Sequence, residues 1–239
     1  MTLDSVKYMQ GGASRPLYIG YNTQLGKPAA PVLNVTNSYL WANTLTVGST
    51  GGGAAYADLC PTLAVTNSEG ELQWSLNIGT ANDKVHPTVR IGAGSLVRQY
   101  RNGGSSEGIE FHRGVDVEIA DGGVLATKCV GNTGYWGMYL MSGAWGTVCV
   151  KNGGVFSTDI FTCKNDGATE AKHLDFVFDG GVLELTKGTQ DLVPIALKCP
   201  EYQGFVTEGA GMTIRVGEEI VHTLATPVRG AGSVTKTGA

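Results

Sequence analysis

Short stretches of the chain alternate between apolar and polar residues, which is the periodicity of a β-strand with one buried face. The clearest examples are VDVEI at Val115–Ile119 and LDFVF at Leu174–Phe178, in which large apolar residues recur at every second position. GTVCV at Gly146–Val150 keeps the same alternation through its two valines. No segment shows a convincing helical period. The pattern predicts an all-β protein built from many short strands.

Each of these strands leads into a paired glycine that follows an acidic or amide residue. DGGVL occurs at Asp121–Leu125 and at Asp179–Leu183, and NGGVF occurs at Asn152–Phe156. Asn or Asp followed by Gly tolerates a positive φ, and the second glycine allows close approach of another backbone. We interpret the three segments as corners after which the next strand begins. In the third copy the apolar set is shifted by one residue relative to the glycines, which predicts a bulge or a turn of different length.

Whole blocks of strand and corner recur at a nearly constant spacing. PVLNVTNS begins at position 31 and PTLAVTNS at position 61, an offset of 30, while the three glycine blocks begin at 115, 146 and 174, with offsets of 31 and 28. Hairpins use similar turns but do not explain a period near 30 residues, whereas a solenoid does. We predict a single-stranded, right-handed parallel β-helix over residues 31–239, with residues 1–30 as an N-terminal cap or irregular strands.

Composition narrows the class of protein. Glycine is abundant, at 36 of 239 residues, while proline is only 8, which suits repeated tight corners better than a collagen or a disordered chain. The net charge of -4 and the scattered basic residues argue against nucleic acid as a partner. No apolar run is long enough to span a membrane, and the first residues lack a signal segment. Because the last residues end within a repeat pattern, we expect a fragment of a longer surface protein.

The C-terminal segment VRGAGSVTKTGA, Val228–Ala239, resembles the start of the glycine-rich passenger repeat of bacterial autotransporter-type surface proteins. The matching positions are Gly230, Gly232, Val234, Thr235, Lys236, Thr237 and Gly238. LTVGSTGG at Leu45–Gly52 and VRIGAG at Val89–Gly94 are similar to corners of such passengers. The resemblance implies a right-handed parallel β-helix, export to the cell surface and a scaffold or adhesive role. It implies no particular ligand, and the tryptophans and cysteines depart from the family pattern.

An aromatic segment is the first candidate site. GYWGMYLMSGAW at Gly134–Trp145 contains four large aromatic side chains: Tyr135, Trp136, Tyr139 and Trp145. Exposed aromatic faces bind sugar rings through apolar contact, so the segment suits a glycan ligand. The alternative is that the segment forms a strand with its aromatic rings packed over the ends.

An acidic segment is the second candidate site. Within Glu107–Glu118, one predicted strand face carries Glu110 and His112, and another carries Asp116 and Glu118. Paired carboxylates with a nearby arginine can cleave polysaccharides by acid and base chemistry. The alternative is that these residues are the outward charges that any solvated solenoid face requires.

Metal and cofactor chemistry finds little support in the sequence. The four histidines, His86, His112, His173 and His222, are too far apart for a sequence metal motif, and no nucleotide or cofactor fingerprint follows a strand, so we expect no metal and no cofactor. The five cysteines lack a CxxC pair, and they favour isolated thiols or one disulfide among Cys129, Cys149 and Cys163. The NVTNS and AVTNS segments predict stacked amide side chains.

These observations favour a non-enzymatic extracellular or bacterial cell-surface scaffold, or an adhesin whose partner is a glycan or another cell-surface component. One alternative is a polysaccharide lyase or glycoside hydrolase of the β-helix type. A second is a trimeric fibre of the phage tail-spike type, which an exposed apolar stripe along the solenoid would favour. The sequence leaves the oligomeric state open.

Overall fold

A computed structural model describes residues 1–10, 16–22, 28–50, 58–101, 108–129, 137–141, 143–158, 161–163, 173–186, 204–217 and 227–238. Over these ranges the chain contains strands and turns and no helix. The strands are β1 Thr2–Asp4, β2 Lys7–Met9, β3 Leu17–Asn22, β4 Val32–Thr36, β5 Tyr39–Thr50, β6 Thr62–Thr66, β7 Glu69–Ile78, β8 Thr88–Ile91, β9 Leu96–Arg101, β10 Ile109–Phe111, β11 Val115–Ile119, β12 Val124–Cys129, β13 Met138–Leu140, β14 Trp145–Lys151, β15 Val155–Thr158, β16 Phe161–Cys163, β17 His173–Asp179, β18 Gly181–Leu185, β19 Phe205–Thr207, β20 Met212–Val216, β21 Val228–Gly230 and β22 Val234–Thr237.

The strands form two parallel sheets that wind as a β-solenoid, which confirms the predicted fold class. The first sheet has nine strands in the order β1-β4-β6-β8-β11-β14-β17-β19-β21. The second has thirteen, and its long strands β5 and β7 each pair with separate strands along their two halves. Each circuit, or rung, therefore has three faces. Face one is the nine-stranded sheet, face two contains β9 and β12, and face three contains β10 and β13.

The repeat alignment made from sequence is the register of the structure. Val115 pairs with Gly146, and Gly146 pairs with Leu174. Val32 pairs with Thr62, which reproduces the offset of 30 between the two asparagine blocks. Because parallel register places like positions above one another, sequence similarity at this period is similarity of place in the solenoid.

The glycine corners have the backbone geometry that their sequence predicts. Asp121 and Gly122 have φ of 54° and 76°, and Asn152 and Gly153 have φ of 51° and 75°. At the second glycine a Cβ would collide with the rung below: at Gly123 it would stand 2.5 Å from the carbonyl oxygen of Ile91. Gly154 meets Ile119, and Gly181 meets Val150, in the same way. Only a residue without a side chain permits this stacking distance.

The third corner is shorter by one residue, as its shifted apolar set predicts. Gly146 and Leu174, before the corner, are 28 positions apart, whereas Val155 and Val182, after it, are 27 apart. Its positive φ is carried by Gly180, at 76°. The missing residue is absorbed in the turn, so the apolar side chains on both sides stay inside.

The core is one continuous column of inward side chains from all three faces. One part of it is aromatic: Phe111 of face three, Phe156 of face two and Phe176 of face one meet with ring centroids 5.2–6.3 Å apart. All three are fully buried. Phe205 continues the column one rung further, 6.1 Å from Phe176. Edge-to-face contacts of this kind add to the hydrophobic stabilisation.

The described strands of the first 22 residues are paired in parallel with the next rung. Strand β1 pairs with β4, and both β2 and β3 pair with β5. The first 22 residues thus contain strands of a first rung, which contributes outward side chains to face two.

The corner glycines predict a difference between two adjacent substitutions. Gly154→Ala should lower the free energy of unfolding by about 3 kcal/mol, because its Cβ overlaps the backbone of Ile119 and the rungs must separate. Gly153→Ala should cost only about 1–2 kcal/mol, for the positive φ alone, since no atom lies within 4 Å of its Cβ. Urea unfolding of both variants measures the difference. Equal losses would contradict close stacking at this corner.

Candidate functional site

The aromatic segment is split between two faces. Tyr139 lies on β13 of face three and is 3% exposed, so its ring offers no open surface. Trp145 begins β14 of face one and is 38% exposed. Tyr135 and Trp136 lie outside the described residues. Of the four predicted aromatic residues, Trp145 is therefore the one that the described structure presents to a ligand.

The indole of Trp145 is held in place by residues two rungs away. Its Nε1 donates to Oδ1 of Asp83 at 3.4 Å, and its ring meets that of His86 edge-on at 5.8 Å. Arg113 Nη1 lies 3.3 Å from the same carboxylate. Gly114 has φ of 68°, and a Cβ there would stand 3.4 Å from the indole and 3.0 Å from His86 Nδ1. Trp145 is thus an exposed aromatic side chain with a fixed orientation.

The four acidic-site residues form separate pairs. Glu110 and His112 approach to 3.4 Å between Oε2 and Nε2 on face three, where Glu110 is 9% exposed. Asp116 and Glu118 lie on face one, because the chain turns between His112 and Val115. Burial, and secondarily the Glu110 carboxylate, raise the pKa of the neighbouring Tyr139 phenol. The two candidate pairs therefore do not converge into one site.

Most of the outward carboxylates on face one are paired with cations of neighbouring rungs. Asp116 contacts Arg90 at 2.5 Å, and Glu118 contacts Lys151 at 2.7 Å. On face two, Glu184 likewise contacts Arg215 of the next rung at 3.1 Å. These charges neutralise one another along the solenoid axis. Such exposed pairs contribute little stability, but they balance the charges of these residues on the part of the surface that the structure describes.

Sequence reasoning missed a polar cluster on face two of the first rungs. Arg98 donates from Nε to Glu71 Oε1 at 2.8 Å, and its Nη2 contacts both Glu71 and Glu69, the latter at 2.9 Å. The Tyr39 hydroxyl donates to Glu71 Oε2. Lys7 Nζ stands 5.4 Å from the centre of the Tyr39 ring. We call Lys7, Tyr39, Glu69, Glu71 and Arg98 the face-two cluster.

The face-two cluster is polarised so that its acid is charged and its phenol is neutral. The hydrogen bond from Tyr39 is the largest cause that lowers the pKa of Glu71, and Arg98 lowers it further against the effect of burial. Burial, followed by the bond to Glu71, raises the pKa of Tyr39 to about 12. At neutral pH Glu71 therefore holds no proton to donate, and the Tyr39 phenol is not ionised as a base would be.

A groove runs beside this cluster along the corner between faces one and two. We call it the corner groove; it is an open, shallow groove of about 650 Å³ that crosses four rungs. One wall consists of the stacked corner residues Ser5, Asn37, Asn67 and Gly94, and the other consists of the register partners Lys7, Tyr39, Glu69 and Leu96.

The predicted amide stack forms the first wall of the corner groove. Asn67 Nδ2 donates to Asn37 Oδ1 at 2.7 Å, and Asn37 Nδ2 donates to Asp4 at 3.2 Å. Behind it, the Ser38 amide donates to Ser68 Oγ at 3.0 Å. Both asparagines have positive φ, 50° and 46°, which Asn tolerates better than most residues. Asn therefore serves the corner twice, as a turn residue and as a rung-to-rung contact.

The remaining candidate chemistry is sparse. Within the ranges that the structure describes, no three His, Cys, Asp or Glu side chains are grouped so that they could hold a metal ion. Cys60 and Cys149 are free thiols, so Cys149 takes no part in a disulfide. Burial raises the pKa of the Cys149 thiol. The side chains of Cys129, Cys163 and His173, as well as Cys199 and His222, lie outside the described residues.

Comparison with known proteins assigns no family. Neither a family model, nor a curated protein, nor a solved structure matches the chain. The described part of the chain contains no helix that is long and apolar enough to cross a membrane.

The face-two cluster predicts how stability depends on pH. Tyr39→Phe should cost about 1 kcal/mol or less at pH 7, because it removes one partly exposed hydrogen bond. Because folding lowers the pKa of Glu71, the stability that its charged form contributes is lost as pH falls through that pKa. Because folding raises the pKa of Tyr39, the stability that its neutral phenol contributes is lost as pH rises through about 12. The difference between wild type and variant should therefore be largest near neutral pH. Urea midpoints at acidic, neutral and alkaline pH measure it, with Tyr18→Phe as the control. A difference that grows on acidification would contradict the bond.

Proposed function

We propose that this chain is a non-enzymatic scaffold domain of an extracellular or bacterial cell-surface protein, and that it binds glycans. The observation that carries the proposal is the placement of Trp145. Its indole is partly exposed, yet Asp83 and His86 fix its orientation. A rigid aromatic ring loses little conformational entropy when a sugar ring stacks on it, and the nearby Asp83 and Arg113 supply groups that can bond to hydroxyls.

The scaffold role is supported by the dispersed charges of the outer surface. On faces one and two, carboxylates such as Asp116 and Glu184 are balanced by cations of adjacent rungs. A solenoid with such faces is an extended rigid body that can hold a binding surface away from its point of attachment. The surface location and the cell-surface partner rest on the passenger-like segment Val228–Ala239, whose last strand, β22, is exposed.

One observation favours a second candidate, a polysaccharide lyase or glycoside hydrolase. Glu110 and His112 form a close carboxylate–imidazole pair that could exchange a proton with a substrate. The low exposure of Glu110 weighs against access of a polymer. An enzyme would release new chain ends from a polysaccharide, and Glu110→Gln would abolish that release.

The trimeric fibre has less support. Among the described residues, five exposed large apolar side chains belong to the first rung rather than to a stripe along the axis: Met1, Val6, Met9, Tyr18 and Tyr21. An interface between long parallel solenoids would need apolar side chains on many successive rungs.

A glycan array of wild type and two variants tests the proposed function. Trp145→Ala should reduce binding about tenfold or more, because the stacking platform is lost. The matched control is Tyr21→Ala, which removes an exposed aromatic ring from the first rung and should leave binding unchanged. Absence of binding by wild type, or equal binding by Trp145→Ala, would refute the Trp145 site.

A further inference from the structure

The corner groove has the properties of a ligand site that is separate from Trp145. It is an open, shallow groove of about 650 Å³ whose lining residues come from four successive rungs. Neighbouring parallel strands are about 4.8 Å apart, so four rungs span about 14 Å. Corresponding positions of successive rungs line it, so a linear ligand laid along the axis would meet the side chains of a new rung at every step.

The groove wall offers side chains to a ligand rather than unpaired backbone. The amides of Tyr39, Glu69 and Leu96 donate at 2.9–3.0 Å to carbonyls of the rungs below. Those of Asn37 and Asn67 donate at 3.2 and 2.8 Å to the rungs above. A peptide that binds by adding a strand needs a sheet edge with unsatisfied amides, which these residues do not offer. The ligand must be recognised by hydroxyl, amide and charged side chains.

The charges of the groove favour a neutral ligand. Lys7 and Arg98 are balanced by Glu69 and Glu71, and Arg98 already contacts both carboxylates. Asp4, at the end of the asparagine stack, adds one carboxylate, which accepts from Asn37. A polyanion such as nucleic acid would need an excess of cations, and a polycation would need free carboxylates. The polar groups that remain suit a hydroxyl-rich polymer.

The side chains are held in position before any ligand arrives. Asn37 and Asn67 are fixed by their stacked amide bonds, and each amide nitrogen has a second N–H. Tyr39 is fixed through its hydroxyl by Glu71, which Arg98 anchors in turn. Ordered side chains lose less entropy on binding, which favours a ligand whose own hydroxyls are as regularly spaced as the rungs.

We propose that the corner groove binds a neutral, linear polysaccharide segment along the solenoid axis. Tyr39 provides an apolar ring surface, the asparagine stack hydrogen-bonds to hydroxyls on one side, and Lys7 and Glu69 do so on the other. The inference rests on the glycan-binding function proposed above, but it names a different site and a narrower class of ligand.

Affinity electrophoresis of the whole chain in gels that contain a soluble polysaccharide tests this site. The polymers are the neutral dextran, mannan and mixed-linkage β-glucan, the acidic polygalacturonate, and the cationic glycol chitosan. The groove variant is Lys7→Met with Glu69→Gln, which removes one charge of each sign. The matched control is Lys151→Met with Glu118→Gln, an equivalent pair on face one. Both variants change exposed or half-exposed side chains, and circular dichroism with urea unfolding verifies their folding.

We expect at least one neutral polymer to retard wild type, and the groove variant to bind it about tenfold more weakly, as the loss of one or two hydrogen bonds predicts. The control variant should match wild type. Tyr39→Ala should weaken binding further, although it keeps the charges of Lys7 and Glu69. Retardation only by the acidic or cationic polymer, or equal retardation of wild type and the groove variant, would overturn the proposal.

The same gels with Trp145→Ala separate this inference from the proposed function. Binding that is lost in Trp145→Ala and kept in the groove variant supports the Trp145 site and overturns the groove. Binding that is lost in the groove variant and kept in Trp145→Ala supports the groove and overturns the Trp145 site. No retardation of wild type by any polymer would overturn both.

Discussion

Close, in-register stacking of one rung on the next is the constraint on which the rest of the structure depends. At the corners the backbones come so near that Gly123, Gly154 and Gly181 stand where any Cβ would strike a carbonyl of the rung below. The requirement for glycine at these points, and for positive φ just before them, produces the repeated DGG and NGG segments. It also sets the register, since a strand that must fit under such a corner cannot shift along its neighbour without a collision.

In-register stacking turns residues about 30 positions apart into neighbours. Inside, it places Phe176 against rings from both other faces and builds one apolar column. Outside, it aligns asparagine with asparagine, and it allows Arg90 to reach Asp116 on the next rung. The backbone of the corner groove is already hydrogen-bonded between rungs, so a ligand there would be recognised by side chains. Both candidate sites are built from side chains of several successive rungs.

Sequence periodicity predicted most of the fold because it follows directly from this stacking. The alignment of Val115, Gly146 and Leu174 is the observed register, and the shorter corner at Gly180 leaves its mark in the shifted apolar pattern. The sites were harder to predict. Alternation shows which side chains point outward but not which are covered, so Tyr139 looked available although it is buried. Trp145 and Asp83 are 62 positions apart, two rungs rather than one. The asparagine-block alignment, extended past Ser38 and Ser68, pairs Tyr39 with Glu69, whereas the structure bonds Tyr39 diagonally to Glu71.

Disulfide trapping between adjacent rungs tests parallel in-register stacking most directly. Glu118 is the register partner of the free thiol Cys149, so Glu118→Cys should form a disulfide with Cys149 on mild oxidation. Asp116→Cys pairs with Thr147 in this register, and it should link to Cys149 much less. Peptide mapping by mass spectrometry identifies the linked pair. Two double variants give the strand direction. The variant with Asp116→Cys and Thr147→Cys should form a disulfide between the two new cysteines. A disulfide that forms preferentially in the variant with Asp116→Cys and Lys151→Cys would mean that the two strands run in opposite directions, and it would contradict the solenoid.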